Sequence, residues 1–170
     1  MELKYKKLYK NILKEYQKFS TCARMKVAAL LVDKGRILSV GYNGVPSGQT
    51  HCNDIFLKNE GKFYITNGEG WMSPEHMAAC EVSEEKWNEE HHKFANEHEL
   101  HAEQNCIGWS CKNNINITNA TMVLSHEPCE ACARLIFSCG IKKVYFVANY
   151  DRGSKGIEFL KANGIEVEQF

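Results

Sequence analysis

The hydrophobic and polar positions of this chain repeat with periods that predict individual helices and strands. Near the start, apolar residues recur at helical spacing among lysines, which predicts an amphipathic helix over residues 1–18. Apolar runs at residues 27–32 and 37–42 flank the polar segment Asp33-Lys34-Gly35-Arg36. Two short apolar runs separated by a turn predict a β-hairpin.

The second half of the chain alternates between strand patterns and helix patterns. Strands are predicted at residues 120–124, 143–147 and 165–168, and helices at residues 129–139 and 155–162. Strands that alternate with helices favour parallel pairing, with helices on both faces of the sheet. The predicted fold class is therefore α/β.

Another helix is expected to start at His101, with Ile107 and Trp109 on its apolar side. Before it, the pattern is less regular. Residues 43–53 are rich in Gly, Pro, Ser and Asn and predict a loop, and a charged helical stretch is predicted around Trp87 and Phe94. We expect one domain over residues 1–170, with an insertion at about residues 55–98.

The composition of the chain limits the kinds of molecule that we expect it to bind. The chain has 170 residues, of which 44% are hydrophobic and 25% are charged, and its formal net charge is zero. A neutral chain is not typical of a nucleic-acid-binding protein, which usually has a basic excess. The lysine-rich first helix has no continuous apolar core, so it does not predict a signal peptide. A basic amphipathic helix can lie on a membrane, but a solvated face on a packed helix is the favoured interpretation.

We therefore expect no nucleic-acid partner and no membrane partner, and a cytoplasmic location, in the host cytoplasm if the source is a virus. The chain has eight cysteines. Without a secretion signal, metal ligation and buried thiols are favoured over disulfide bonds.

Two short motifs contain the candidate metal-binding and catalytic residues. They are His101-Ala102-Glu103 and Pro128-Cys129-Glu130-Ala131-Cys132. A histidine and two cysteines can occupy three positions of a zinc tetrahedron and leave the fourth for water. Pro128 suits the start of a helix, from whose first turn both sulfur atoms can reach one metal. Glu103 is placed to move protons for that water. The alternative is that the two cysteines form half of a structural site with four ligands.

The combination of His-x-Glu with Pro-Cys-x-x-Cys is the signature of the zinc-dependent nucleobase deaminases. A second motif, Gly41-Tyr42-Asn43-Gly44-Val45-Pro46-Ser47-Gly48, is typical of their deoxycytidylate branch. The chain therefore resembles the deoxycytidylate (dCMP) deaminases, and its final segment is especially similar to the T-even phage enzymes. The resemblance implies a three-layer α/β/α sandwich around a mixed sheet of about five strands.

The resemblance also implies an activity, which is the zinc-dependent hydrolysis of dCMP to dUMP and ammonia, supplying dUMP for thymidylate synthesis. His101, Cys129 and Cys132 would hold the catalytic zinc, and Glu103 would carry protons from water to N3 of the base and to the leaving amine. Asn43 matches a position that contacts the sugar, although Asn-Gly is also ordinary turn chemistry.

The substrate phosphate requires a cation. Arg24 and Lys26 are the candidates nearest to the motifs, and Arg152 is another. Each of these residues could instead be an ordinary surface charge.

The phage enzymes carry a second, structural zinc, whose ligands would fall on Cys22, Cys52, His91 and Glu99. His92, His98 and Cys80 are substitutes of the same ligand types, and Cys22 and Cys52 could simply be buried thiols. On a straight helix His91 and Glu99 would lie about 12 Å apart along the axis. A shared metal therefore predicts a bend between them, near Asn96.

Assembly and regulation are implied by the resemblance alone. We expect a homohexamer, with Trp109, Ile136 and Phe137 as the candidate contact residues. Many relatives are activated by dCTP and inhibited by dTTP, and Mg²⁺ can accompany an allosteric nucleotide. Two other classes stay open: a deaminase acting on cytidine, tRNA adenosine or a riboflavin precursor, and a non-catalytic zinc-binding module.

Overall fold

The computed structural model describes residues 3–149 and 153–170, and Arg152 lies outside these residues. Within this part of the chain the structure has one sheet of five strands and one of three, called here the larger and the smaller sheet. The elements in chain order are α1 (Leu3–Gln17), β1 (Ala28–Asp33), β2 (Arg36–Tyr42), α2 (Cys52–Ile55), β3 (Phe56–Asn59), β4 (Lys62–Ile65), α3 (Pro74–Ala79), β5 (Glu81–Val82), α4 (Glu84–His98), α5 (Ala102–Lys112), β6 (Thr121–His126), α6 (Glu130–Ser138), β7 (Lys143–Ala148), α7 (Lys155–Ala162) and β8 (Glu166–Gln169).

The chain divides into two compact units. Unit 1 contains the described residues of Met1–Ser20, Val27–Asn43 and His101–Phe170, and unit 2 contains Thr21–Lys26 and Gly44–Leu100. Unit 2 therefore begins earlier in the sequence than the insertion predicted at about residues 55–98. Whether the chain acts as one domain stays a prediction.

Unit 1 is built on the larger sheet, whose strand order is β2-β1-β6-β7-β8. The β1–β2 and β1–β6 pairs are antiparallel, whereas β6–β7 and β7–β8 are parallel. The mixed sheet and the parallel pairing predicted for the second half are confirmed.

The side chains of β1 point alternately to the two faces of this sheet, and both faces are apolar. Ala29 and Leu31 pack in a core with residues of α5, α6 and α7, whereas Leu30 packs on the other face with Tyr9 and Leu13 of α1. Successive strand residues point to opposite faces, so a fully apolar strand is buried on both sides. The three-layer α/β/α arrangement follows from this pattern.

Unit 2 contains the smaller sheet, with the order β3-β4-β5 and antiparallel pairing. The strands β3 and β4 are joined by Glu60 and Gly61, which both have positive φ, as two-residue hairpin turns require. Its apolar core includes Phe56 and the fully buried Trp87 of α4. The strands of unit 2 were not predicted from the sequence.

No helix among the described residues is long and apolar enough to cross a bilayer.

Candidate metal centre and active site

The helix α5 begins at the first candidate metal ligand. His101 is the N-cap of α5, with extended backbone angles, and its N–H donates to Gln104 Oε1 at 2.8 Å. This bond satisfies a backbone donor at the helix start and fixes the direction in which the chain enters the helix. His101 and Glu103 are thereby held on a rigid helical end.

The helix α6 begins at the second candidate ligand. Cys129 is its N-cap, and Cys129 Sγ accepts a hydrogen bond from the Cys132 N–H at 3.5 Å. Pro128 therefore stands one residue before the N-cap of this helix. The unpaired N–H groups of a helix N-terminus favour a thiolate over a thiol.

The donor atoms of His101, Cys129 and Cys132 converge at distances that fit a zinc ion. His101 Nδ1 lies 3.6 Å from Cys129 Sγ and 3.4 Å from Cys132 Sγ. Tetrahedral Zn–N and Zn–S bonds of about 2.1 and 2.3 Å separate such ligands by about 3.6 Å. These three residues therefore suit a zinc site, and a three-ligand site leaves one position for water.

The electrostatics of the two cysteines agree with metal binding. The Cys132 thiol, hydrogen-bonded to Cys129 Sγ, holds the pKa of the Cys129 thiol at about 4, and His101 adds to this effect. The same bond raises the pKa of the Cys132 thiol. The pair thus shares one proton, which a metal cation would displace.

Glu103 lies beside these donors in the first turn of α5. Its side chain is buried, with 4% of its surface exposed, and burial raises the pKa of its carboxyl group. Burial thus makes this carboxyl group a better proton acceptor than an exposed one. The geometry thus places a buried carboxyl group next to three side chains that could hold a metal ion.

Comparisons with known proteins agree with this geometry. Residues 3–148 match the family described as "Cytidine and deoxycytidylate deaminase zinc-binding region". The chain belongs to this family.

Two relatives within the family are deoxycytidylate deaminases of Enterobacteria phages T4 and T2. Each is 34% identical, over 87% of this chain and 80% or 82% of the relative. The dCMP deaminase of cyanophage S-TIM5, solved in complex with dCMP and dUMP, is 30% identical with a TM-score of 0.70, and the likeness covers 100% of this chain and 99% of that one. Acinetobacter baumannii RibD, at 19% identity and a TM-score of 0.59, covers 99% of this chain and 36% of its own, and shares the fold alone.

In this family member, α5 is held against β2 by backbone contact at a glycine. A Cβ on Gly41 would come within 2.3 Å of Ala102 O and 2.5 Å of Cys106 N. Asn105 Nδ2 also donates to Tyr42 O at 3.0 Å. The helix that carries Glu103 is therefore fixed to the strand by contacts that tolerate little displacement.

A second glycine contacts the turn at Pro128 and Cys129, called here the cysteine turn. A Cβ on Gly156, in α7, would come within 2.1 Å of Pro128 O and 3.0 Å of Cys129 O. Neither Gly41 nor Gly156 was identified as a site residue from the sequence, because a close backbone approach leaves no local pattern.

The predicted substrate-binding residues have different surroundings. Asn43 is buried at the end of β2, and its Oδ1 accepts hydrogen bonds from Val27 N and Ser20 Oγ. Arg24 and Lys26 are exposed and belong to unit 2. Their role in phosphate binding stays a prediction.

Unit 2 has its own cluster of potential metal ligands. One donor atom each from Cys22, Cys52, His91 and Glu99 lies within 4.8 Å of the others. Cys22 Sγ lies 3.5 Å from His91 Nε2, again the spacing expected of zinc ligands. The predicted four residues thus converge, whereas the possible substitutes His92 and His98 are exposed.

Backbone N–H groups support the sulfur atoms of this cluster. Ala23 N donates to Cys52 Sγ at 3.4 Å. The Cys52 thiol lowers the pKa of Cys22 to about 3, with smaller contributions from His91 and from the N–H groups of Met25 and Arg24. Burial and the charge of Cys22 raise the pKa of Glu99 to about 7. Glu99 Oε1 is buried without a hydrogen-bond partner among the described residues, as a carboxylate kept for a metal would be.

The bend predicted near Asn96 is wrong. The helix α4 runs regularly to His98, and the chain leaves it at Glu99, whose backbone is extended with φ −90° and ψ 138°. The turn at the helix end, together with the length of the two side chains, brings the Glu99 carboxylate to His91.

Proposed function

We propose that the protein catalyses the zinc-dependent hydrolytic deamination of dCMP to dUMP and ammonia, which supplies dUMP for thymidylate synthesis. The observation that carries this proposal is the buried Glu103 beside three donor atoms at zinc-ligand spacing. The phage relatives that are deoxycytidylate deaminases, and one whose structure holds dCMP and dUMP, support this substrate.

The candidate site residues have different proposed roles in this reaction. His101, Cys129 and Cys132 would hold zinc, which lowers the pKa of a bound water to about 7 and so makes hydroxide available at neutral pH. Glu103 would take a proton from the attacking water and deliver it to N3 of the base while the water oxygen bonds to C4. It then carries the second water proton to the amino group leaving C4, which departs as ammonia.

The phosphate group of the substrate is expected to distinguish nucleotides from nucleosides. We expect dCMP to be deaminated with a much higher kcat/KM than deoxycytidine, because Arg24 and Lys26 offer cations for the phosphate. The experiment is ammonia release from dCMP, CMP, dCTP and deoxycytidine. Equal kcat/KM for the nucleoside and the nucleotide would contradict the proposal and favour a cytidine deaminase.

Regulation is tested by the same assay. We infer that dCTP activates the enzyme and dTTP inhibits it, with Mg²⁺ accompanying the effector phosphates. The measurement is the rate of ammonia release at low dCMP concentration. It is made with dCTP or dTTP, and with or without Mg²⁺. No change in rate with either triphosphate would show that this chain is unregulated.

We further propose a structural zinc bound by Cys22, Cys52, His91 and Glu99. Its support is the four-ligand convergence and the N–H groups that donate to the sulfurs. A complete tetrahedron of protein ligands is typical of structural zinc sites, because it leaves no position for water. The two clusters thus suit two different roles.

We place the enzyme in the cytoplasm, in the host cell if the source is a phage like those of the T4 and T2 relatives. The alternative functions are distinguished by the substrate that the protein deaminates. Turnover of cytidine, tRNA adenosine or a riboflavin precursor in place of dCMP would indicate another deaminase. Zinc binding without turnover of any of them would indicate a non-catalytic module.

A further inference from the structure

We propose that Trp87 is a positioning residue for the cluster of Cys22, Cys52, His91 and Glu99. Its indole ring stacks on the imidazole of His91 and orients that ring towards the other three ligands. This inference rests on the structural zinc proposed above and deepens it, because it names the group that takes the place of a hydrogen bond at one ligand.

The His91 imidazole faces the cluster with one nitrogen, and the other nitrogen has no partner among the described residues. Nε2 lies 3.5 Å from Cys22 Sγ, so this is the nitrogen on the side of the metal ligands. Nδ1 is buried and makes no hydrogen bond to a described residue. A histidine that binds a metal usually donates its other N–H to a neighbouring acceptor, which fixes the orientation of the ring. Within the described residues, packing must do this at His91.

Two aromatic rings contact the His91 imidazole. Trp87 and His91 lie four residues apart in α4, so they share one face of the helix. Their ring centroids are 5.0 Å apart and their planes differ by 10°, which is a stacked pair. Phe56 meets the same imidazole at 5.2 Å with an interplanar angle of 75°. A ring that is stacked on one neighbour and crossed by another at a steep angle has little freedom to turn.

The indole of Trp87 is itself held in place. Trp87 is fully buried, and the rings of Phe56 and Phe63 contact it edge-on, at 5.7 and 5.8 Å between centroids. Lys58 Nζ lies over the indole, 4.1 Å from the ring centroid. A cation in this position is attracted by the π electrons of the ring. The indole therefore gives His91 a rigid surface.

The indole N–H indicates that Trp87 acts through its ring. Trp87 Nε1 is buried and has no hydrogen-bond partner among the residues that the structure describes. A buried tryptophan usually satisfies this donor, and an unsatisfied one lowers stability. Stacking on His91 gives the large flat ring a role that its N–H does not have. Sequence analysis missed this role because Trp87 has the pattern of an ordinary core residue in an amphipathic helix.

The first test is zinc affinity, measured on the full chain by competition with a chelator. We expect Trp87→Leu to bind one of its two zinc ions about tenfold more weakly than the wild type, the scale for loss of a group that orients a metal ligand. Trp87→Phe should keep most of this affinity, because a phenyl ring can still stack. Trp87→Met is a second replacement without a ring, and it takes the place of Trp87→Leu if that variant does not fold.

Phe63→Leu is the matched control. Phe63 packs in the same apolar core, and its ring contacts Trp87. The substitution should lower stability to thermal unfolding but leave zinc affinity close to that of the wild type. Equal losses of zinc affinity in Phe63→Leu and Trp87→Leu would overturn the proposal, because core packing alone would then explain both.

A Cys52→Ser background identifies which zinc ion is affected. There the second cluster lacks one of its four ligands. Addition of Trp87→Leu should therefore leave the affinity for the remaining zinc unchanged. A tenfold loss in this background would show that Trp87 acts on the other metal site and would overturn the proposal.

The second test follows the orientation of the His91 ring. In ¹H–¹⁵N spectra of the zinc-loaded chain, the His91 imidazole should give one sharp set of resonances in the wild type and in Trp87→Phe. Trp87→Leu should give broadened or multiple sets, because the ring can then turn. One sharp set in Trp87→Leu, or zinc affinity equal to that of the wild type, would overturn the positioning role.

The outcomes separate this inference from the proposals on which it rests. A wild type that binds one zinc ion per chain would overturn both the structural zinc and the role of Trp87. Two zinc ions with no effect of Trp87→Leu would overturn the role of Trp87 alone. Deamination of dCMP is part of neither test, so an inactive wild type would contradict the proposed activity and not the stacking.

Discussion

At the scale of single residues, the candidate site depends on two carboxyl groups in different surroundings. Glu103 and Glu99 both have raised pKa values, chiefly because both are buried. Glu99 completes a set of four donor atoms, whereas Glu103 stands beside a set of three. The number of neighbouring ligands therefore distinguishes a proposed metal ligand from a proposed proton carrier.

Replacement of Glu103 by glutamine tests the proton carrier. We expect kcat to fall by roughly 100- to 10,000-fold, because the amide cannot exchange protons with water and base. Zinc at the catalytic site should be retained, since the proposed ligands are His101, Cys129 and Cys132. The measurements are ammonia release and zinc content by mass spectrometry.

The control for Glu103→Gln is Glu130→Gln. Glu130 is exposed, pairs with Arg134 at 2.5 Å and adjoins the proposed ligand Cys129. It should keep nearly full activity. A Glu103→Gln enzyme with half of the wild-type rate would contradict the mechanism, and loss of the catalytic zinc would show that Glu103 is a ligand.

Replacement of Cys52 by serine tests the second metal site. We expect the wild type to bind two zinc ions per chain and Cys52→Ser to bind one, because a hydroxyl is a poor zinc ligand. Cys111→Ser is the matched control, since Cys111 is exposed and outside both clusters. A wild type with one zinc per chain, or a Cys52→Ser variant that keeps two, would disprove the assignment.

At the scale of elements, the turn that carries Cys129 is supported by α7 through Gly156. The backbones touch because Gly156 has no side chain. A turn braced in this way keeps its sulfur atoms in position before any metal binds, which favours binding because less freedom is lost.

Gly156→Ala is expected to disturb this support. The new methyl group would meet Pro128 O, so the helix or the turn must shift, at a cost of about 1–3 kcal/mol in the free energy of unfolding. Zinc affinity at the catalytic site should fall as well. Thermal unfolding and zinc titration measure the two effects.

Gly108→Ala is the matched substitution for comparison. Gly108 is exposed in α5, and a Cβ there meets no atom within 4 Å. Alanine should stabilise the helix by up to about 1 kcal/mol and leave zinc affinity unchanged. If both variants behave alike, the contact at Gly156 does not support the cysteine turn.

The elements also show how far the sequence allowed prediction. Long patterned segments were predicted closely: α7 was expected at residues 155–162 and lies at Lys155–Ala162. The strands β3 and β4 have four residues each and β5 has two, so their alternation is too short to distinguish from a loop. The two-residue turn at Glu60 and Gly61 was the signal that could have revealed the β3–β4 hairpin.

The candidate site was predicted better where ligands are close in sequence. His101 with Glu103, and Cys129 with Cys132, are local motifs whose spacing fixes their geometry on helix starts. Contacts such as Ser20 with Asn43 depend on tertiary packing and leave no such motif. The same limitation explains why the bend was predicted near Asn96, within α4, and not at Glu99 where the helix ends.

At the scale of the whole molecule, part of the predicted contact surface proved incorrect. Ile136 is fully buried in the core of unit 1, so it cannot contribute to an interface. Trp109 is 54% exposed and Phe137 is 44% exposed. Trp109 is also not on the apolar side of α5 with Ile107, because two residues along a helix differ by about 200°.

We therefore propose that the homohexamer expected of this chain uses Trp109 and Phe137. Trp109→Lys should shift the sedimentation coefficient towards smaller species at micromolar concentration, because a charge is unfavourable in an apolar contact. Trp71→Lys is the matched control, since Trp71 is equally exposed at 54% and lies in unit 2. A monomeric wild type, with or without dCTP, would refute the assembly.

The pairing of β1 with β6 constrains the order in which the chain can fold. Ala29 pairs with Leu124, so β1 and β6 meet only after a loop of about 95 residues has closed, and the larger part of unit 2, Gly44–Leu100, lies inside that loop. A compact unit 2 shortens the loop that must close, which lowers the entropic cost by about 1 kcal/mol. Refolding of the larger sheet should therefore accelerate a few-fold when unit 2 becomes compact first, so a segment that supplies none of the three proposed catalytic zinc ligands sets how quickly they are brought together.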